Sequence, residues 1–258
     1  MAHTDLPAFL SRPAEGFYTS EVPVPPSGGA VFHSTGRMET RPAKTWPLRT
    51  FLPTGYEPNY PYPLLVFLHG RGGSEEQILR LAPQLSRRNY ICIGLRGPRS
   101  LGLRDNGFPA YSWGGEGESD AGVEEYIFRA VEQTRRHYHV HSERIYLAGY
   151  HEGATLAYRL GMMYPQRFAG IISLNGAMAR EGRPLLRLPE VRRLRVLIGH
   201  GIHNTVVPLE WARQDFRLLY TAGLSIRMHT YPVNHGIHLD MLRDINRWVM
   251  HAINTEEG

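Results

Sequence analysis

The feature that most constrains this chain is the pentapeptide Gly149-Tyr150-His151-Glu152-Gly153, which lies between a buried-strand pattern and a helical pattern. The apolar run Arg144-Ile145-Tyr146-Leu147-Ala148 ends directly on the first glycine, and helical spacing runs from Ala154 to Met163. So short a connection between a strand and a helix demands a very tight reversal. Side chains at positions 149 and 153 would collide with the neighbouring strand and helix, which explains the two glycines. The central residue is then held in a strained backbone conformation and aimed out of the sheet. Gly-x-x-x-Gly alone carries little information; between a strand and a helix of an alternating chain it is specific.

The rest of the sequence alternates in the same way. Strand patterns fall at Trp46–Leu52, Leu64–Leu68, Ile91–Leu95, Gly170–Leu174, Arg195–Gly199 and Ser225–Tyr231. Helical patterns fall at Glu75–Leu85, with Ser74 as N-cap, and at Asp120–Tyr138, Leu209–Thr221 and Leu239–Ile253. Such alternation predicts one α/β domain with a doubly wound, mostly parallel sheet covered by helices on both faces. Residues 1–29, rich in Pro, Ser and Gly, read as an extended N-terminal arm, and residues 30–258 as the domain. Functional side chains are expected on loops at the carboxyl ends of the strands.

Four segments at those strand ends carry a resemblance. Leu-Ala-Gly-Tyr-His-Glu-Gly-Ala-Thr, residues 147–155, resembles in its frame the nucleophile-elbow block of the phospholipase/carboxylesterase family of α/β-hydrolases. Phe67-Leu68-His69-Gly70-Arg71-Gly72-Gly73 is similar to that family's His-Gly loop. Asn204-Thr205-Val206-Val207-Pro208 resembles the segment after the triad acid, and Tyr231-Pro232-Val233-Asn234-His235-Gly236 the segment holding the triad histidine. The similarity spans roughly residues 45–252 and implies the α/β-hydrolase fold.

By that resemblance His151 stands at the nucleophile position, Asn204 at the acid and His235 at the histidine. The main-chain N–H groups of Arg71 and Glu152 would form the oxyanion hole. Tyr111-Ser112-Trp113 resembles a segment that lines the family's pocket, so Tyr111, Trp113 and the elbow's Tyr150 are the expected substrate-binding residues. The resemblance implies a small ester or acyl ligand.

With imidazole for hydroxyl and amide for carboxylate, ordinary serine hydrolysis is not expected. Loss of a triad nucleophile costs about 10⁶ in turnover and loss of its acid alone about 10⁴, in the serine-protease case. Three readings remain open. The chain is a degenerate, non-catalytic descendant. Or His151 and His235 carry altered hydrolase or lyase chemistry, since imidazole serves as base or nucleophile near neutral pH. Or the same histidines, joined by His203, His238 or Glu152, bind a metal. A displaced acid has candidates in Glu152, Asp240 and the segment 116–120.

Composition excludes other classes. The net charge of +5 is spread over scattered arginines, with Lys44 the only lysine, and no aromatic-plus-basic ladder for nucleic acid is present. No apolar run approaches the ~20 residues of a membrane helix. Met1–Ser20 lacks a basic region followed by an apolar one, which gives the expectation of a cytoplasmic location. The single cysteine, Cys92, lies in an apolar run and reads as core. No cofactor is implied, and the oligomeric state is open.

Overall fold

The computed structural model describes residues 16–24, 44–114, 121–180 and 188–256. In chain order the elements are β1 (Phe17–Val24), β2 (Lys44–Phe51), β3 (Tyr62–Leu68), α1 (Glu75–Leu79), α2 (Ala82–Leu85), β4 (Ile91–Leu95), β5 (Arg99–Leu103), β6 (Pro109–Ser112), α3 (Ala121–His137), β7 (Val140–Tyr150), α4 (Glu152–Met163), β8 (Gly170–Leu174), α5 (Leu188–Val191), β9 (Arg195–Gly201), α6 (Leu209–Thr221), β10 (Ser225–Tyr231) and α7 (Leu239–Glu256).

Eight strands form one sheet in the order β1-β2-β4-β3-β7-β8-β9-β10. From β4 to β10 every pairing is parallel, whereas β1 with β2 and β2 with β4 are antiparallel. The central strands β3, β4 and β8 are buried throughout, as parallel strands covered on both faces must be. Alternate residues of β3 divide between two cores: Leu64, Val66 and Leu68 enter one, Leu65 and Phe67 the other. The first core is closed by α3, α4 and α6, the second by α1, α2 and α7. This is the doubly wound single domain that the alternation predicts.

Three segments differ from the sequence reading. Residues 17–24 of the segment read as an arm form β1, an eight-residue strand in register from Phe17 opposite Phe51 to Val24 opposite Lys44. Its Val22 and Val24 are buried in the first core; residues 1–15 and 25–29 lie outside the described residues. The single helix expected over Glu75–Leu85 is two short helices, α1 and α2. Pro83 lacks the N–H that a continuous helix would direct to Leu79, and its ring opposes that carbonyl. The predicted N-cap holds, with Ser74 Oγ accepting the Gln77 N–H at 3.3 Å. The hairpin of β5 and β6 has no counterpart in the sequence reading, because Leu101 and Leu103 are exposed and show no half-buried alternation.

Candidate active site

Between β7 and α4 stands a single residue, His151, with φ 51° and ψ −115°. A side chain in the left-handed region costs about 1–3 kcal/mol and persists only where the surroundings over-determine it. Here they do. A Cβ on Gly149 would lie 2.1 Å from the Gly153 carbonyl oxygen, and a Cβ on Gly153 would lie 2.1 Å from the Leu68 carbonyl oxygen. The two glycines let α4 start against the end of β3. The reversal is pinned by the His151 N–H, which donates to Leu174 O at 3.0 Å.

The turn brings the His151 ring edge-to-face onto His235, with centroids 4.8 Å apart and planes at 87°. His235 is anchored through its backbone. The Tyr150 hydroxyl donates to its carbonyl at 2.7 Å, and Asn175 Nδ2 donates to the carbonyls of His235 and Gly236 at 3.0 and 2.8 Å. At the ring itself, Asn204 Oδ1 lies 3.1 Å from His235 Nδ1. Burial lowers the pKa of His235 to about 4, with further lowering from His151 and His200. Burial, then the Arg71 charge, lowers that of His151 too. Both rings are neutral at pH 7.

Beside the elbow runs the loop from His69 to Gly73. The Gly97 N–H donates to His69 Nε2 at 2.8 Å, so His69 carries its proton on Nδ1 and donates to Gly70 O at 2.8 Å. The Trp113 indole N–H donates to His69 O at 2.8 Å while its ring lies 5.0 Å from the imidazole. The Gly72 N–H donates to Tyr111 O and the Tyr111 N–H to Gly73 O, which tie the loop to β6. The Arg71 main-chain N–H makes no hydrogen bond among the described residues. That of Glu152 lies in the first turn of α4, where helix geometry supplies no acceptor. Both main-chain N–H groups are thus free of an intrachain acceptor among the described residues.

Residues 58–253 match the phospholipase/carboxylesterase family. The chain belongs to this family. It is 25% identical over 226 residues to the acyl-protein thioesterase 1 of Mycosarcoma maydis, a match that covers 76% of this chain and 93% of that one. Among solved structures, the carboxylesterase of Mesorhizobium loti is similar at a TM-score of 0.63 and 19% identity, covering 80% of this chain and 94% of that one. The Bacillus cereus carboxylesterase is similar at a TM-score of 0.58 and 22% identity, over 74% and 89% of the two chains. At those identities the two structures speak for the shared fold.

In this member of the phospholipase/carboxylesterase family the structure brings His151, His235 and Asn204 together and sets Tyr150 beside them. The expected wall residues have other engagements. Trp113 and Tyr150 are 4% and 5% exposed, with their polar atoms committed to His69 and His235. Tyr111 lies under the Arg96 guanidinium, 4.6 Å from its ring centre. Both oxygens of the Glu152 carboxylate are engaged elsewhere, accepting the Ser112 hydroxyl at 2.7 Å and the Trp113 N–H at 3.2 Å, and burial raises its pKa. It ties the segment after β6 to the elbow and is no substitute acid for His235.

The metal reading is corrected here. Among the described residues no three His, Cys, Asp or Glu side chains are grouped to hold an ion. His238 pairs with Asp240, which also accepts Arg243. His200 is buried, and its Nε2–H donates to Val207 O at 2.9 Å. The acidic segment 116–120 lies outside the described residues. One buried residue of the site goes unmarked in the sequence reading, Asn175, which has φ 49° and no exposed surface, and buried His69 enters it only as part of the His-Gly loop, with no role of its own. Asn175 follows β8 directly and precedes Gly176, so its place at a strand's carboxyl end was a usable signal.

Proposed function

We propose that this protein binds small acyl esters or thioesters at the family's site and does not perform ordinary serine hydrolysis. The observation that carries the reading is the imidazole of His151 at the strained apex between β7 and α4; by the family resemblance the main-chain N–H groups of Arg71 and Glu152 are its oxyanion donors. Hydroxyls nearby are hydrogen-bonded elsewhere or buried. Ser112 donates to Glu152, Thr155 donates to Ala177 O, and Ser173 is fully buried. By the family resemblance His151 replaces the nucleophilic serine and Asn204 the acid. The thioesterase relative widens the acyl donor from ester to thioester.

The contact between His151 and His235 favours a second reading, slow acyl transfer through imidazole. The unprotonated nitrogen of His151 attacks the acyl carbon and the bond to the alcohol or thiol breaks. The proton from the other nitrogen of His151 passes to His235 and on to the leaving group. Water then adds to the acyl-imidazole, releasing the carboxylic acid and restoring His151. The oxyanion donors stabilise the tetrahedral intermediates.

Turnover of p-nitrophenyl acetate by the protein and by His151→Ala separates the readings. Turnover that disappears in the variant supports imidazole chemistry; equal background rates in both leave binding alone. Covalent labelling by a serine-directed fluorophosphonate overturns the non-serine reading. A rise in melting temperature with octanoate supports acyl binding. The binding claim falls if octanoate gives no shift and p-nitrophenyl acetate no turnover.

A further inference from the structure

The side-chain amide of Asn204 is oriented by groups that cannot reverse. Its Oδ1 accepts the backbone N–H groups of Val206 and Val207 at 3.0 and 2.9 Å, and its Nδ2 donates to Asn175 Oδ1 at 3.1 Å. Backbone N–H groups only donate, so the atom facing them is oxygen. Asn175 is fixed by the same logic. Its Nδ2 donates to the carbonyls of His235 and Gly236, which only accept, and its Oδ1 accepts the Gly201 N–H at 2.8 Å. Flipping either amide sets donor against donor and acceptor against acceptor at residues only 7% and 0% exposed, where each unsatisfied polar group costs about 1–3 kcal/mol.

The same Asn204 Oδ1 lies 3.1 Å from His235 Nδ1. An amide oxygen has no proton to give, so this nitrogen must supply one. We infer that Asn204, clamped by Asn175, is a positioning residue that holds His235 as the neutral Nδ1–H tautomer, leaving Nε2 as the unprotonated nitrogen of the ring that meets His151. An asparagine replacing a triad aspartate in a serine protease stabilises the wrong tautomer and costs about 10⁴ in turnover. Here the clamp reverses that outcome, because it turns Nδ2 toward Asn175 and leaves Oδ1 as the atom facing His235 Nδ1.

A corollary concerns position 204 itself. A carboxylate there would keep the contacts to Val206, Val207 and His235 but would set its second oxygen against Asn175 Oδ1, which has no hydrogen to offer. Asn175 cannot turn to help without opposing Gly201 N–H and two carbonyls. Asn204 and Asn175 are therefore a matched pair, and the amide is a built part of the site, not the residue of a drifting one. What the Nε2 lone pair does for a substrate rests on the imidazole reading above; the tautomer does not.

The test reads the tautomer directly. In protein labelled with ¹⁵N-histidine, two-bond ¹H–¹⁵N correlations at pH 7 are expected to show the Nδ1–H pattern for His235, identified by its disappearance in His235→Gln. In Asn204→Ala the Nε2–H form should gain at least half of the population. An Nε2–H pattern in the unaltered protein, or an unchanged pattern in Asn204→Ala, overturns the inference. Should Asn204→Ala not fold, the unaltered protein's spectrum decides alone. For the corollary, Asn204→Asp is expected to melt several degrees lower at pH 8 than the parent, a gap that narrows toward pH 5 as the new carboxyl takes up a proton and donates to Asn175. Equal melting at pH 8 overturns the matched pair. Protein that shows the Nδ1–H pattern but hydrolyses no ester refutes imidazole turnover and leaves this inference standing.

Discussion

His69 illustrates how a single side chain sets the chemistry of its surroundings. It is 1% exposed, accepts from Gly97 and donates to Gly70, so it shapes the loop that presents the Arg71 N–H. Burial, which outweighs the raising effects of Gly70 and Glu75, lowers its pKa to about 4. Unfolded, the same ring titrates near 6.5. Between those values the unfolded chain binds more protons, so stability is fully present above pH 6.5 and is lost as the pH falls toward 4. At ~1.4 kcal/mol per pKa unit the loss is about 3 kcal/mol. His235, also lowered to about 4, acts in the same direction, reduced by its partial access to solvent. Urea midpoints at pH 7.5, 5.5 and 4.5 should fall in that order, with a shallower fall in His69→Gln. Equal slopes for parent and variant would refute the assignment to His69.

At the scale of elements, the strand-turn-helix unit of β7 and α4 does the positioning. Its geometry was legible in residues 147–155 because a tight reversal leaves room only for glycine at its two ends, a constraint local to the sequence. The close approaches at these glycines give that constraint a value. Gly153→Ala drives a methyl group to 2.1 Å from Leu68 O and 2.7 Å from His69 O, both backbone atoms that move only with β3 and the His69 loop. Overpacking of this kind typically costs about 1–3 kcal/mol, and backbone partners place it at the upper end or above. A urea midpoint unchanged in Gly153→Ala would contradict the packing described. The neighbouring helix pair was less legible. Periodicity over Glu75–Leu85 continues through the break, because the apolar spacing serves α1 and α2 equally well, and only Pro83 marks where the backbone hydrogen bonds must stop.

Across the whole molecule, the sheet extends beyond what alternation predicts. β1 caps the antiparallel end, burying Val22 and Val24 to 0% and 3% exposure against the core that holds α3. Each buried valine contributes roughly 1.5–3 kcal/mol, and β2 would otherwise present an open edge. Removal of residues 1–24 is expected to cost about 3–6 kcal/mol and to promote association between chains, checked by urea unfolding and light scattering. Unchanged stability would mean that β1 is dispensable. The Pro- and Ser-rich surroundings of β1 hide it, since only two of its eight residues are apolar and buried. Strand and helix order, the double winding and the elbow follow from periodicity and steric exclusion, which act between residues close in the chain. The amide orientations and the His235 tautomer do not. Asn204 and His235 are separated by 31 positions and Asn204 and Asn175 by 29. Which atom donates to which is settled only when packing brings these groups to hydrogen-bond distance of fixed backbone donors and acceptors.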